Sequence, residues 1–171
     1  MYYKCTSCKS KFTDIKKPVW LCRCGKPLSV HYSWENINSN LTIKMDEYSL
    51  WRYASILPNI SNPISLGEGF TPLLPLTSNL FVKNETVNPT GSFKDRGMSL
   101  AISMAKEQRV NDICLPSAGN AGISAAAYCK EAKINCHVFL PETIPAEYLK
   151  ETKRYTKHVV LSGKTISDAA K

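Results

Sequence analysis

The chain has 171 residues, 43% of them hydrophobic and 21% charged, an ordinary balance for a soluble globular protein with a core spread over one or two domains. No apolar run reaches transmembrane length and the N-terminus lacks a secretory core, so a cytoplasmic protein is expected. The formal net charge of +8 admits nucleic-acid or phosphate-bearing partners without requiring them.

Four of the seven cysteines fall within the first 24 residues, as Cys5-x2-Cys8 and Cys22-x-Cys24. Without a secretion signal, this crowding favours a metal over disulfides. Two knuckles can offer four sulfurs to one tetrahedral Zn²⁺, which would supply folding energy that a segment of about 33 residues cannot draw from its own core. The second knuckle is one residue tighter than C-x2-C, and Gly25 suits the turn after it because glycine takes positive φ without cost. His31 is a substitute ligand of lower rank, and free thiols are the bland alternative. As thiolates on one zinc, the four cysteines would lower the net charge from +8 to +6. Seven basic residues, one acid (Asp14) and the aromatics Tyr2, Tyr3, Phe12 and Trp20 also suit a nucleic-acid-binding ribbon. Cys114, Cys129 and Cys136 sit in apolar surroundings and read as small buried residues.

Residues 34 to about 96 are richer in Pro, Asn and Ser. A helix is expected over Met45–Ala54, stopped before Pro58. From residue 80 onward strands and helices alternate. Leu80–Val82 reads as a strand, then a helix runs from about Ser92 to Gln108. Ile113–Leu115 is a strand ended by Pro116, and a helix rich in small residues spans Asn120 to about Ala132. Cys136–Leu140 is the next strand, and Pro145 opens a helix to about Tyr155. His158–Leu161 is a further strand and Thr165–Lys171 a helix just starting. Such alternation predicts βαβ units, a parallel sheet and flanking helices: an α/β fold. An unfinished last helix predicts that the chain is truncated.

The segment Asn88-Pro89-Thr90-Gly91-Ser92-Phe93-Lys94-Asp95-Arg96-Gly97 follows a strand and opens a helix. Asn-Pro and Thr-Gly make the turn, and Ser92 can cap the helix. Lys94 then lies in the first helical turn, whose positive end disfavours a second positive charge and so favours the neutral, nucleophilic amine. By default any single lysine is an ordinary solvated one; its neighbours set this one apart.

These residues resemble the pyridoxal-phosphate (PLP) lysine motif of the threonine synthase family, among the tryptophan-synthase-like fold type II enzymes. Gly67-Glu68-Gly69-Phe70-Thr71-Pro72-Leu73 is similar to that family's upstream Gly-Glu-Gly-x-Thr-Pro-Leu segment, and Ser117-Ala118-Gly119-Asn120-Ala121 to its Ser-x-Gly-Asn loop. The cysteine ribbon is similar to that of many archaeal and bacterial members. The resemblance implies a zinc ribbon over 1–33, the leading part of the larger PLP-binding domain over 34–96, and a smaller α/β domain over 97–171. It implies that Lys94 carries PLP as a Schiff base and shuttles protons, with Phe93 packed near the cofactor. Asn120 would hydrogen-bond the PLP 3′-oxygen, and Ser117, Gly119 and Ala121 would contribute to the substrate carboxylate site. Anions collect where such a loop joins a strand to a helix N-terminus.

The implied reaction converts O-phospho-L-homoserine and water to L-threonine and phosphate. Cysteate synthase-like and threonine dehydratase-like enzymes are the nearest alternatives; a zinc-ribbon nucleic-acid adaptor and an inactive relic stand outside that class. The expected partner is a small phosphorylated amino acid, not nucleic acid or membrane, and a homodimer is compatible with this reading. The family's Gly-rich phosphate loop and its Ser or Thr at the pyridine nitrogen are not found before Lys171, so weak PLP retention is expected of this chain by itself. Lys133 departs from the family in standing where a helix-ending glycine is common.

Overall fold

The computed structural model describes residues 1–32 and 42–171. The expected boundary at 33/34 lies outside the described residues. Strands β1 (Tyr2–Cys5), β2 (Lys11–Phe12) and β3 (Leu28–His31) form a small antiparallel sheet in the order β2-β1-β3. The first cysteine knuckle lies at the turn between β1 and β2, and the second in a turn closed by the Leu21–Pro27 bridge ahead of β3.

The segment expected to be a helix over Met45–Ala54 is a correction. Met45–Ser49 is not helical, and a 3-10 helix, kinked at Tyr53, runs Leu50–Ile56 instead. Two tertiary bonds override the local helix propensity. The Leu50 N–H donates to the Glu68 carbonyl (2.7 Å) and the Lys44 N–H to the Arg52 carbonyl (3.0 Å). Ser49 stays extended and caps the helix by accepting from the Trp51 N–H.

Leu73–Pro75 (β4) and Phe81–Lys83 (β5) form an antiparallel hairpin, separate from the parallel sheet. The strand expected at Leu80–Val82 is present as β5, but its β4 partner was not anticipated, because prolines at 72 and 75 argue against a strand. A 3-10 turn at Glu85–Val87 leads to helix α1 (Lys94–Glu107).

From there the expected alternation holds. It runs β6 (Asp112–Pro116), α2 (Asn120–Ala132), β7 (Asn135–Leu140), α3 (Ala146–Lys153), β8 (His158–Leu161) and α4 (Ile166–Ala169). The three strands pair in parallel in the order β6-β7-β8, so their C-terminal ends and following loops gather at one edge. Cys136, Val138 and Leu140 of β7 pack with Ala125, Ala126 and Cys129 of α2 in the main core. Small residues bring helix and sheet close: a Cβ on Gly122 would lie 2.9 Å from Val138 Cγ1 and 3.0 Å from Ser117 Cβ. Cys129 and Cys136 are buried as expected, but Cys114 is exposed. The register puts Cys114 beside His137, on the face of the sheet opposite the core.

Helix α2 ends in a Schellman motif. The Lys133 N–H donates to the Lys130 carbonyl, the Ile134 N–H to the Cys129 carbonyl, and Ile134 is buried against the core. Lys133 supplies the left-handed residue at φ +57, where a Cβ is strained. Lys133→Gly is expected to stabilise the fold by about 1 kcal/mol and raise Tm by roughly 2–4 °C. Thermal unfolding that shows no gain would remove this account of the cap.

Candidate functional site

Lys94 is the first residue of α1, and Ser92 Oγ accepts from its backbone N–H (3.3 Å). Its side chain lines an open cleft of about 320 Å³ with Ser117, Gly119, Asn120 and Ala121 from the loop between β6 and α2. That size lies within the roughly 300–1,000 Å³ of small-molecule sites. Phe93 stands exposed beside it, with Lys94 Nζ 4.1 Å from its ring centroid. The structure therefore gathers all the residues singled out for the lysine site around one place. Tyr148 of α3 and Ile166 of α4 also line it. No local motif marks these two; the parallel topology brings them in.

The loop is shaped from within. Ser117 is buried, and its Oγ accepts from the Gly119 and Gly122 N–H groups (3.2 and 2.8 Å). Gly119 has φ +151, and a Cβ there would lie 3.1 Å from the Tyr148 ring. Only glycine serves at that position. The backbone N–H groups of Asn120 and Ala121 open α2 without a protein acceptor among the described residues. They border the cleft, so an anion seated there meets free donors and the positive end of a 13-residue helix. A primary amine on one wall and free amide donors on the other fit an aldehyde cofactor and a carboxylate-bearing substrate.

The turn that presents Lys94 is fixed by buried carboxylates that sequence reading had not singled out. Asp95 is fully buried and accepts from the Thr90 N–H (2.7 Å), Thr90 Oγ1 (2.5 Å) and Ser124 Oγ of α2 (2.5 Å). Glu68 is also fully buried and accepts from Ser65 Oγ, the Leu66 N–H and Tyr128 Oη (2.8 Å). Burial and the neighbouring Glu68 carboxylate push the Tyr128 phenol upward, so it remains a donor. Asn88 Oδ1 accepts from the Gly69 N–H (3.0 Å), which joins the two glycine-bearing motifs directly. Arg96 grips Glu85 through two bonds of 2.7 and 2.8 Å, and Thr71 donates to the same carboxylate. Glu68, Asp95 and Arg96 lie inside the two motifs, but Asp and Glu beside Ser, Thr or Arg are common on surfaces, so the motifs do not announce their burial or their partners.

A second constellation lies in the ribbon. The sulfurs of Cys5, Cys8, Cys22 and Cys24 all lie within 4.8 Å of one another, with Cys5–Cys24 and Cys8–Cys22 both at 3.5 Å. A tetrahedral zinc with bonds of about 2.3 Å separates its sulfurs by about 3.8 Å, so this donor set fits that ion. Cys5 Sγ accepts from the Ser7 and Cys8 N–H groups (both 3.4 Å), the bonds a knuckle gives to a thiolate. The Ser10 hydroxyl and amide hold the Cys8 thiol down at about 6. Gly25 turns at φ +74, as expected. His31 is not part of the cluster: it shares a hydrogen bond with Ser29 Oγ and stacks on Tyr2. Among the described residues no helix is long and apolar enough to cross a membrane.

Residues 64–171 match the family model of pyridoxal-phosphate-dependent enzymes. The chain is 37% identical over 155 residues to threonine synthase from Methanocaldococcus jannaschii, covering 83% of this chain and 38% of that protein. It is 34% identical over 151 residues to threonine synthase from Methanosarcina acetivorans, covering 82% of this chain and 37% of that one. The chain thus spans less than two fifths of the length of these relatives. Among solved structures it resembles maize serine racemase, with a TM-score of 0.54 and 30% identity over 58% of this chain and 33% of the other.

The Glu85–Arg96 pair makes stability depend on acid. The Arg96 guanidinium holds the Glu85 carboxyl down at about 2 from its ordinary 4.5. Its stabilisation is therefore fully present above the unfolded value of 4.5 and lost as pH falls toward about 2. The gap in urea midpoint between the native chain and Glu85→Gln should be largest near neutrality and close across that window. A gap that does not change with pH would show that the pair is not the source.

Proposed function

The chain belongs to the pyridoxal-phosphate-dependent enzymes, and from that premise we propose that its cleft performs threonine synthase chemistry, converting O-phospho-L-homoserine and water to L-threonine and phosphate. The observation that carries this reading is the Lys94 amine, set at the start of α1 and sharing one cleft with the Ser117–Ala121 loop. The two relatives that match more than four fifths of this chain are named threonine synthases, which favours this reaction over other chemistry of the same family.

Lys94 is the residue that would carry PLP. When bound, the cofactor supplies an electron sink that makes the substrate Cα proton acidic. Phe93 would pack beside it, and Asn120 would hydrogen-bond its 3′-oxygen. The free Asn120 and Ala121 N–H groups, at the positive end of α2, would orient the substrate carboxylate. Ser117 and Gly119 act here through the shape of the loop, since the Ser117 hydroxyl is committed to the Gly119 and Gly122 amides. Released to its neutral form, the Lys94 amine takes the proton from Cα and then from Cβ. Phosphate then leaves from Cγ, the two protons return at Cγ and at Cα, and water gives its hydroxyl to Cβ and its remaining proton to the phosphate, so one positioned amine handles the protons on neighbouring carbons.

In this reading residues 1–33 form a ribbon stabilised by a structural zinc on Cys5, Cys8, Cys22 and Cys24. Residues 34–96 belong to the larger PLP-binding domain and residues 97–171 to the smaller one, with α1 crossing from one to the other.

Borohydride reduction in the presence of PLP, followed by peptide mapping, should label Lys94. Lys94→Ala should abolish both the label and threonine formation from O-phosphohomoserine; normal threonine output from that variant would sink the assignment. For the ribbon, one zinc per chain is expected, and its chelation should disorder residues 1–32 while α1 and α2 keep their circular dichroism. A reduced chain that takes up no zinc would overturn the metal assignment.

A further inference from the structure

A second cleft, of about 510 Å³, opens beyond α1 and is lined by Arg52, Tyr53, Phe70, Thr71, Pro72, Lys83 and Arg96. It shares no lining residue with the lysine cleft. Lys94 and Arg96 leave the helix about 200° apart, so the two clefts lie on different sides of it. Three of its seven lining side chains are cations and none is a carboxylate.

The three cations are not equally satisfied. Arg96 is offset by Glu85, which lies behind it. Among the described residues Lys83 donates only to the backbone carbonyl of Thr71. Arg52 is only 9% exposed, yet it has no carboxylate partner among the described residues. Among the described residues its one side-chain hydrogen bond is a 3.9 Å contact to Met45 Sδ, and its Nε is buried without a partner. Guanidinium cannot shed its proton, so burying it without a counter-charge is costly.

The surrounding residues hold this guanidinium in place. Phe70 stands at φ +49, a left-handed conformation that a bulky residue rarely adopts. There its ring lies 4.5 Å from the Arg52 guanidinium carbon, and Tyr48 packs edge-on against it. Gly69, the preceding residue, has no room for a Cβ, which would lie 2.8 Å from the Leu50 N. A strained aromatic braces an unpaired cation at the wall of a cavity with an excess of positive charge.

We propose that this cleft is a binding site for a phosphate-class oxyanion, with Arg52 and Lys83 as its ligands and Arg96 lending positive potential. A guanidinium fork and an ammonium point charge together match the geometry and double charge of phosphate better than those of a single carboxylate. The anion supplies the counter-charge that Arg52 lacks. This site is distinct from the lysine cleft and does not depend on the reaction assigned to it.

The test is a titration of the full ¹⁵N-labelled chain with inorganic phosphate, at ionic strength held constant with chloride, following the amides of Tyr53, Phe70 and Lys83. Saturable shifts are expected there, unchanged in Lys94→Ala and with affinity weakened about ten-fold or more in Arg52→Met. Arg52→Met removes the charge and keeps an apolar stem; if it fails to fold, Lys83→Gln provides the same comparison. O-phosphoserine run in parallel separates sources: tighter binding than phosphate assigns the anion to a larger phosphorylated molecule, and equal binding to the free ion. No saturable shift at these residues, shifts confined to Asn120 and Ala121, or wild-type affinity in both variants would overturn the site.

Discussion

The geometry around Lys94 depends on one buried carboxylate. Asp95 has no contact with solvent, and its oxygens accept three hydrogen bonds, two from Thr90 in the turn before α1 and one from Ser124 on α2. A buried carboxylate with partners missing costs several kcal/mol, so turn, helix and neighbouring helix are held to one relative arrangement. An apolar contact at the same place would supply burial without direction. Because Asp95 is fixed, the start of α1 is fixed too, and Lys94 lines the cleft that it shares with the loop before α2.

The same logic extends along α1. Its buried face carries Asp95, Ser99 and Ser103, spaced four residues apart, together with Ile102. Ser99 Oγ donates to the Ile64 carbonyl and accepts from Trp51 Nε1, while Ser103 Oγ accepts from the Ile64 N–H. The irregular segment from Leu57 to Thr71 has no regular pairing of its own, so several of its polar groups are satisfied by side chains of the helix. The Gly-Glu-Gly segment joins this network through Glu68 and through the Gly69–Asn88 bond. Such a network rewards a single arrangement, because each partly satisfied state leaves a buried polar group exposed to its desolvation cost.

This division explains what could be read from the residues and what could not. The alternation after residue 80 was legible because β6, β7 and α2 are held by apolar burial, which follows period 2 and period 3.6. The limits of α2 emerge at Asn120 and Ala132 as expected, since the glycine-bearing loop and the small-residue run both mark them. The cysteine knuckles were legible from spacing alone. The segment at Met45–Ala54 was misread because local helix propensity was outweighed by the Leu50–Glu68 and Lys44–Arg52 backbone bonds, which the local sequence does not announce. Cys114 was misread as buried because a short apolar strand does not say which of its faces is covered. Within the site, the motifs located Lys94 and the Ser117–Ala121 loop, but Tyr148 and Ile166 arrive from α3 and α4 through topology. The burial of Asp95, Glu68 and Arg52 carried no signal, because a charged residue looks the same in sequence whether it faces water or the interior.

Lys94, Asp95 and Arg96 show how a fold allots function within a single helical turn. Successive residues leave a helix about 100° apart, so three adjacent charged side chains enter three different surroundings. Lys94 faces the loop at the start of α2, Asp95 enters the core, and Arg96 is clamped to Glu85 beside the second cleft. Starting the helix one residue later would turn the Asp95 carboxylate toward the lysine cleft and the Arg96 guanidinium toward the core. Ser92 and Thr90 set that start from the turn, Ser124 confirms it from α2, and Glu85 confirms it from the opposite side. Four independent contacts therefore fix one angular coordinate. The chemistry assigned to Lys94 rests on that coordinate more than on any property of the lysine itself.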